Sequence, residues 1–276
     1  MDMDFKGKVA IVTGGGSGIG RACAKVFAER NAAVALLDRD KTKGEAVARE
    51  LSSGGGKAAF FAADVSLAEE IENVVRQVMA EFGRIDILVS NAGIQRYGTV
   101  TTISEEQWDE VMNVNLKGAF LMAKHTIPRM IESGGGSIVF VGSVQSVAAQ
   151  RNSVQYVVSK HGLLGLTRCI ALDYGQQNIR ANCVLPGAID TPMLRWSAGL
   201  DPDPERVLEA CDTLHIRGKM GRPEEVANAI AFLANDLASF ITGSALPVDG
   251  GLLVPIGGMA FQKSGTGGAK DVAEGP

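Results

Sequence analysis

Tyr156 and Lys160 stand four residues apart, and Ser143 precedes the tyrosine by thirteen. In a helix this spacing sets phenol and ammonium one turn apart on the same face. A free tyrosine, with a pKa of about 10, is protonated near neutral pH. A neighbouring cation favours the phenolate and draws the value toward the working range, so the pair can act as a proton-accepting base. Ser143 adds a hydroxyl able to hold a substrate oxygen. Taken alone, the pattern also fits a surface tyrosine and lysine on an ordinary helix, so the elements around it must decide.

Those elements begin with Lys8 to Thr13, a short β-branched apolar run of the kind buried on both faces of a sheet. It enters Gly14-Gly15-Gly16-Ser17-Gly18-Ile19-Gly20, and an amphipathic helix follows from Arg21 to Arg30. A glycine turn between strand and helix lets backbone amides approach a pyrophosphate, whose charge the helix N-terminus stabilises. The next strand, Ala33 to Leu37, ends in Asp38. A carboxylate there accepts hydrogen bonds from an adenosine ribose and repels a 2′-phosphate, which favours NAD over NADP. Arg39, directly after it, argues the other way.

Strand and helix continue to alternate. A helix from Lys41 to Leu51 and a strand from Lys57 to Ala62 lead to Asp64-Val65, where Asp64 can meet an adenine amino group. Ser66 and Glu69 are spaced as a capping box for a helix running to Phe82. The strand Ile85 to Ser90 delivers Asn91-Ala92-Gly93, and Ser104 with Gln107 opens a long helical region running toward Pro128. Asparagine is a poor helix former, so Asn115 inside that region predicts a bend or a polar task. The strand Ser137 to Val141 brings Ser143 to the same edge; Arg180 to Leu185 ends in Pro186-Gly187, and Ala245 to Val248 is the last strand. This order predicts an α/β fold: a doubly wound parallel sheet, Rossmann-like, in one domain with helices on both faces and ligands at the carboxyl ends of the strands. Residues 188–214, with Pro192, Gly199, Pro202 and Pro204, break the rhythm and read as an irregular substrate lid.

The 276 residues are enough for one large domain, here 1–253, followed by a tail over 254–276. A net charge of −4 offers no basic field, so neither nucleic acid nor an anionic membrane is an expected partner. Cys23, Cys169, Cys183 and Cys211 lack CxxC or metal-ligand spacing and read as reduced thiols. His125, His161 and His215 have no metal spacing either, so no metal is expected and the histidines receive no role. With no signal-like start and no long apolar run, the expected location is the cytoplasm.

Taken together, the chain from about Phe5 to Leu253 resembles the short-chain dehydrogenase/reductase family. The resemblance rests on TGGGSGIG at Thr13 to Gly20, Asp64, NAG at Asn91 to Gly93, Asn115, Ser143, Tyr156 with Lys160, and PGAIDT at Pro186 to Thr191. It implies hydride transfer between a nicotinamide cofactor and an alcohol or carbonyl. Tyr156 becomes the general base for oxidation and the acid for reduction. Lys160 lowers its pKa and binds the nicotinamide ribose, Ser143 positions the reacting oxygen, and Asn115 holds a water in a proton relay. Pro186, Gly187, Ile189 and Thr191 contact the nicotinamide end. NADP-preferring relatives often carry a basic residue where Ser17 stands, so NAD remains the expected cofactor. Relatives are commonly tetramers, which implies a homotetramer.

Resemblance leaves the substrate open. The segment from Ser143 to Tyr156 carries Gln145, Gln150, Arg151 and Asn152. Such groups suit hydroxyls, and Arg151 can hold a carboxylate through a bidentate pair. The leading expectation is a sugar or sugar-acid dehydrogenase, similar to relatives that oxidise L-fucose or the 4-hydroxyl of 2-keto-3-deoxy-L-fuconate. In the alternative, these side chains face solvent or a neighbouring subunit. A 3-oxoacyl-acyl-carrier-protein reductase is the enzymatic rival: Asp38 argues against it because such reductases usually prefer NADPH, whereas Met193, Leu194 and Trp196 could line an apolar channel. A catalytically silent binding protein is the third reading, and the complete set of Asn115, Ser143, Tyr156 and Lys160 argues against it. The apolar stretch Leu252 to Phe261 is expected to pack across a subunit interface, bringing Met259 or Phe261 to a neighbour's pocket.

Overall fold

All five residues of β1 (Val9–Thr13) and all four of β4 (Ile87–Ser90) are buried, because helices cover both faces of the sheet they share. The remaining strands are β2 (Ala33–Asp38), β3 (Lys57–Ala62), β5 (Gly136–Val141), β6 (Ile179–Pro186) and β7 (Ala245–Val248). In this computed structural model, which describes residues 3–254, the seven strands pair in the order β3-β2-β1-β4-β5-β6-β7. Every pairing is parallel. The chain winds outward from β1 to β3, then returns across β1 to build the other half. That reversal opens a crevice beyond the carboxyl ends of β1 and β4, where a doubly wound sheet binds its ligands.

The helices are α1 (Gly18–Glu29), α2 (Lys41–Ser53), α3 (Ala68–Phe82), α4 (Glu105–Met112), α5 (Gly118–Glu132), α6 (Val154–Tyr174), α7 (Pro192–Ala198), α8 (Pro204–Thr213) and α9 (Pro223–Ala234). Strand alternation divides the interior in two. Ile11, Leu88 and Phe140 meet Ile71 and Val78 of α3, Met122 of α5 and Leu163 of α6 on one face. Val12, Leu36 and Val89 meet Phe27 of α1 and Ile230 of α9 on the other. Losing one of these fully buried leucines to alanine costs about 2–5 kcal/mol.

Three local expectations change. The Ser66–Glu69 box does not form: α3 starts after Leu67, and the Ser66 hydroxyl instead donates to Asp64 Oδ1 at 2.6 Å. The neighbouring carboxylate is the nearer acceptor for that hydroxyl. Residues 188–214 are not irregular, because Thr191 and Asp203 cap two helices that begin at Pro192 and Pro204. Proline at a first helical position forfeits no internal bond. Pro128 does not end its helix, which continues to Glu132. The segment around Asn115 is π-helical from Asn113 to Lys117, joining α4 to α5. No helix among the described residues is long and apolar enough to cross a membrane. The expectation for Met259 and Phe261 lies outside the described residues.

Candidate active site

The glycine turn after β1 is shaped by close approach. A Cβ at Gly20 would lie 2.1 Å from the Gly14 carbonyl oxygen, and one at Gly14 would lie 2.9 Å from Asn91 Nδ2. Gly14 and Gly18 also take φ of +64° and +52°, left-handed values that suit glycine. Asn91 Nδ2 donates to the Thr13 carbonyl at 2.9 Å, while Thr13 Oγ1 accepts from the Asn91 and Ala92 amides at 2.9 and 3.0 Å. These bonds lock the loop after β4 onto the turn after β1. Asp38, at the end of β2, accepts from the Gly16 amide at 2.9 Å and the Asp40 amide at 3.0 Å.

A cleft of about 760 Å³ crosses the carboxyl ends of the strands. Asp38, Arg39, Asp64 and Val65 line it at β2 and β3, Gly14, Ser17, Gly18 and Ile19 at β1, and Asn91, Ala92 and Gly93 at β4. Ser143, Tyr156 and Lys160 follow near β5, then Pro186, Gly187, Ile189 and Thr191 after β6. Gly20 is buried beneath the turn and is not part of the cleft lining. A turn bare of side chains, with a carboxylate at the β2 edge and a long cleft beyond, fits an extended dinucleotide.

The catalytic candidates are set by α6 and by the π-helical segment. Lys160 Nζ donates to the Val141 carbonyl at 2.7 Å and lies 5.4 Å from the Tyr156 ring centre. Asn115 is buried: its Oδ1 accepts from the Ile94 amide at 2.8 Å, and its Nδ2 donates to the Ile94 carbonyl at 3.0 Å and to Ser159 Oγ at 3.2 Å. Both amide hydrogens are thus engaged in clipping the loop after β4 to α6. The widened helical turn is what lets the asparagine reach that loop.

Burial dominates the electrostatics of the pair. Burial pushes Tyr156 up to about 12; the Ser143 hydroxyl draws it back partway, and a charge on Tyr97 would raise it further. Burial also pushes Lys160 down to about 8. Both charged forms lose hydration in the cleft wall, and one of the three ammonium donors is taken by the Val141 carbonyl. The protein alone therefore holds the phenol protonated.

Among the expected substrate residues, Gln145 and Met193 line the cleft, and the Gln145 amide bonds Gln150. Arg151 does not: it is exposed in the turn before α6. Trp196 is also off the cleft, 46% exposed and stacked on Tyr97 with centroids 6.3 Å apart and rings 19° from parallel. Met193, Leu194 and Ser197, at i, i+1 and i+4, share the cleft-facing side of α7, and Trp196 falls outside it. Sequence reasoning missed Tyr97, Ser197 and His215. Tyr97 lies in a loop leaving a strand's carboxyl end, which was its available signal. His215 is buried, with Nδ1–H donating to the Cys211 carbonyl at 2.8 Å and Nε2 accepting from the Ala188 amide at 3.1 Å. It ties the end of α8 to the turn after β6, a contact without a local signature.

Fold and site together define a nicotinamide-dependent oxidoreductase scaffold, and comparison with known proteins agrees. A family model described as Enoyl-(Acyl carrier protein) reductase matches residues 14–253. A 3-oxoacyl-acyl-carrier-protein reductase of Thermotoga maritima is 39% identical over 91% of this chain and 100% of its own. A 2,5-dichloro-2,5-cyclohexadiene-1,4-diol dehydrogenase of Sphingobium indicum is 42% identical over 90% of this chain and 98% of its own. The solved structure of Thermoplasma acidophilum aldohexose dehydrogenase superposes with a TM-score of 0.85 at 38% identity, covering 93% of this chain and 98% of that one. The chain belongs to the short-chain dehydrogenase/reductase family, whose members use nicotinamide cofactors and act on CH–OH groups.

Proposed function

We propose that this protein oxidises a secondary alcohol of a sugar or related polyol to a ketone, with NAD as the preferred cofactor. The observation carrying the proposal is the convergence of Ser143, Tyr156 and Lys160 on one wall of the cleft. Ser143 holds the substrate oxygen, and Tyr156 takes its proton. Lys160, with the Asn115 clip behind it, positions the cofactor ribose and carries positive charge to the phenol. The nicotinamide, when bound, supplies the hydride acceptor and a positive charge that favours the phenolate. General-base action of this kind contributes roughly 10²–10⁴-fold to rate.

Asp38 at the β2 edge supports NAD. The sugar-like substrate is supported by Gln145 and Gln150 in the cleft lining. The position of Arg151 outside that lining removes the support for a carboxylate clamp, so a neutral sugar is favoured over a sugar acid such as 2-keto-3-deoxy-L-fuconate. For a homotetramer, the exposed apolar side chains Val158 and Leu172 of α6 are candidate contacts. The test is NADH formation across aldohexoses, cyclic diols and sugar acids, with NAD and NADP compared and Tyr156→Phe as control. Turnover with NAD that the control loses by at least a hundredfold is the expected result.

A second reading, 3-oxoacyl thioester reduction, is favoured by Leu194, Val207 and Leu214 in the cleft lining. NADPH-dependent reduction of an acetoacetyl thioester, with no alcohol oxidised, would select it.

A further inference from the structure

Tyr97 lines the cleft on a loop that is fixed on either side of it. Arg96 donates to the Gln95 carbonyl at 2.8 Å and to Glu110 at 2.7 Å, and the Gly98 amide donates to the Asn152 carbonyl at 2.8 Å. The Tyr97 hydroxyl is hydrogen-bonded to Ser197 Oγ of α7, and both residues line the cleft. Two hydroxyls sharing one hydrogen bond keep one hydrogen and several lone pairs free, so the pair can donate to a ligand and accept from it. A substrate hydroxyl needs both; a carboxylate only accepts and brings a charge. Among the described residues, the charged side chains lining the cleft are Asp38, Arg39, Asp64 and Lys160. The first three stand at the β2 and β3 edge, and Lys160 belongs to the catalytic wall. Among the described residues, Arg195 of α7 and Arg96 beside Tyr97 lie outside the cleft lining and are paired with Asp190 and Glu110.

We propose that Tyr97, together with Ser197, reads a second hydroxyl of the substrate and so selects neutral vicinal diols and polyols over simple alcohols. The inference rests on the alcohol-oxidation reading above and names the specificity of that same site. Tyr97 acts as a specificity residue: it lines the same cleft as Tyr156, where a charge on one phenol is felt at the other. Its bond to Ser197 also makes α7 part of the subsite, so the lid is held by the group that reads the substrate.

The experiment compares kcat/KM with NAD for cis-cyclohexane-1,2-diol against cyclohexanol, and for D-glucose against 2-deoxy-D-glucose. It uses the wild type, Tyr97→Phe and Ser197→Ala. Circular dichroism and NADH fluorescence titration report that each variant is folded. The wild type is expected to prefer the more hydroxylated member of a pair. Tyr97→Phe is expected to cut that preference roughly tenfold, chiefly through KM, with Ser197→Ala acting in the same direction. Equal losses on both members of a pair, or an unchanged preference, overturn the inference and leave alcohol oxidation standing. Wild-type silence on all four, with thioester reduction instead, overturns the function proposed above and this inference with it.

Discussion

At the scale of single residues, the site is two titratable groups placed where neither charge is comfortable. Lys160 falls from 10.5 to about 8 on burial, so between those values the unfolded chain binds a proton that the folded one does not. Stability contributed at this position therefore rises with pH across that window, and the handicap is full below pH 8. Tyr156, raised from 10.0 to about 12, has the opposite sense: its contribution is present below pH 10 and lost as pH climbs to 12. Urea unfolding without cofactor should show the wild type gaining on Lys160→Met by about 2 kcal/mol between pH 7 and 10. A gap that stays flat would contradict the burial of an ammonium here. The Tyr–Lys spacing was legible in the sequence, but the burial of both groups was not. Spacing reports that a cation is near, whereas the loss of hydration depends on what covers both groups.

Among the elements, the glycine turn and the π-helical segment position the chemistry through contacts with little tolerance. Gly20→Ala puts a methyl 2.1 Å from a backbone oxygen, so α1 must move off the turn. The dissociation constant for NADH, read by fluorescence titration, is expected to rise about tenfold or more, because the amides that approach the pyrophosphate move with α1. Asn115→Leu keeps the volume but strips the Ile94 amide and carbonyl of their partners. A loss of about 2 kcal/mol in urea unfolding is expected, with a fall in kcat as the loop after β4 loosens. The asparagine announced a bend or a polar task because it suits a regular helix poorly. Its partner, Ile94, is twenty-one residues away and could not be read from local propensity. The lid shows the reverse error: its prolines read as breakers, yet Pro192 and Pro204 occupy first helical turns.

For the whole molecule, the order of strands gathers the ends of β1, β4, β5 and β6 into one line, and the cleft follows it. What the sheet does not use is the outer stripe of α6, where Leu172 is 84% and Val158 39% exposed. If that stripe is a subunit interface, Val158→Asp combined with Leu172→Asp should reduce the particle mass measured by light scattering from four chains to fewer. A wild type that already runs as a single chain would sink the tetramer. Alternation of strands and helices was enough to predict a doubly wound sheet, because each period carries its own hydrophobic pattern.

The sequence by itself determined the fold class, the glycine turn and the Tyr156–Lys160 pair, since each leaves a signature of residue types within a short stretch of chain. Tertiary structure alone decided the walls of the substrate cleft. It set Arg151 and Trp196 outside and brought Tyr97 and Ser197, a hundred residues apart, into one hydrogen bond. It also sent His215 under the turn after β6. A side chain's type says what it can bond. Which of several suitable partners it meets depends on how loops from different strands pack at one edge, and that is a property of the folded sheet.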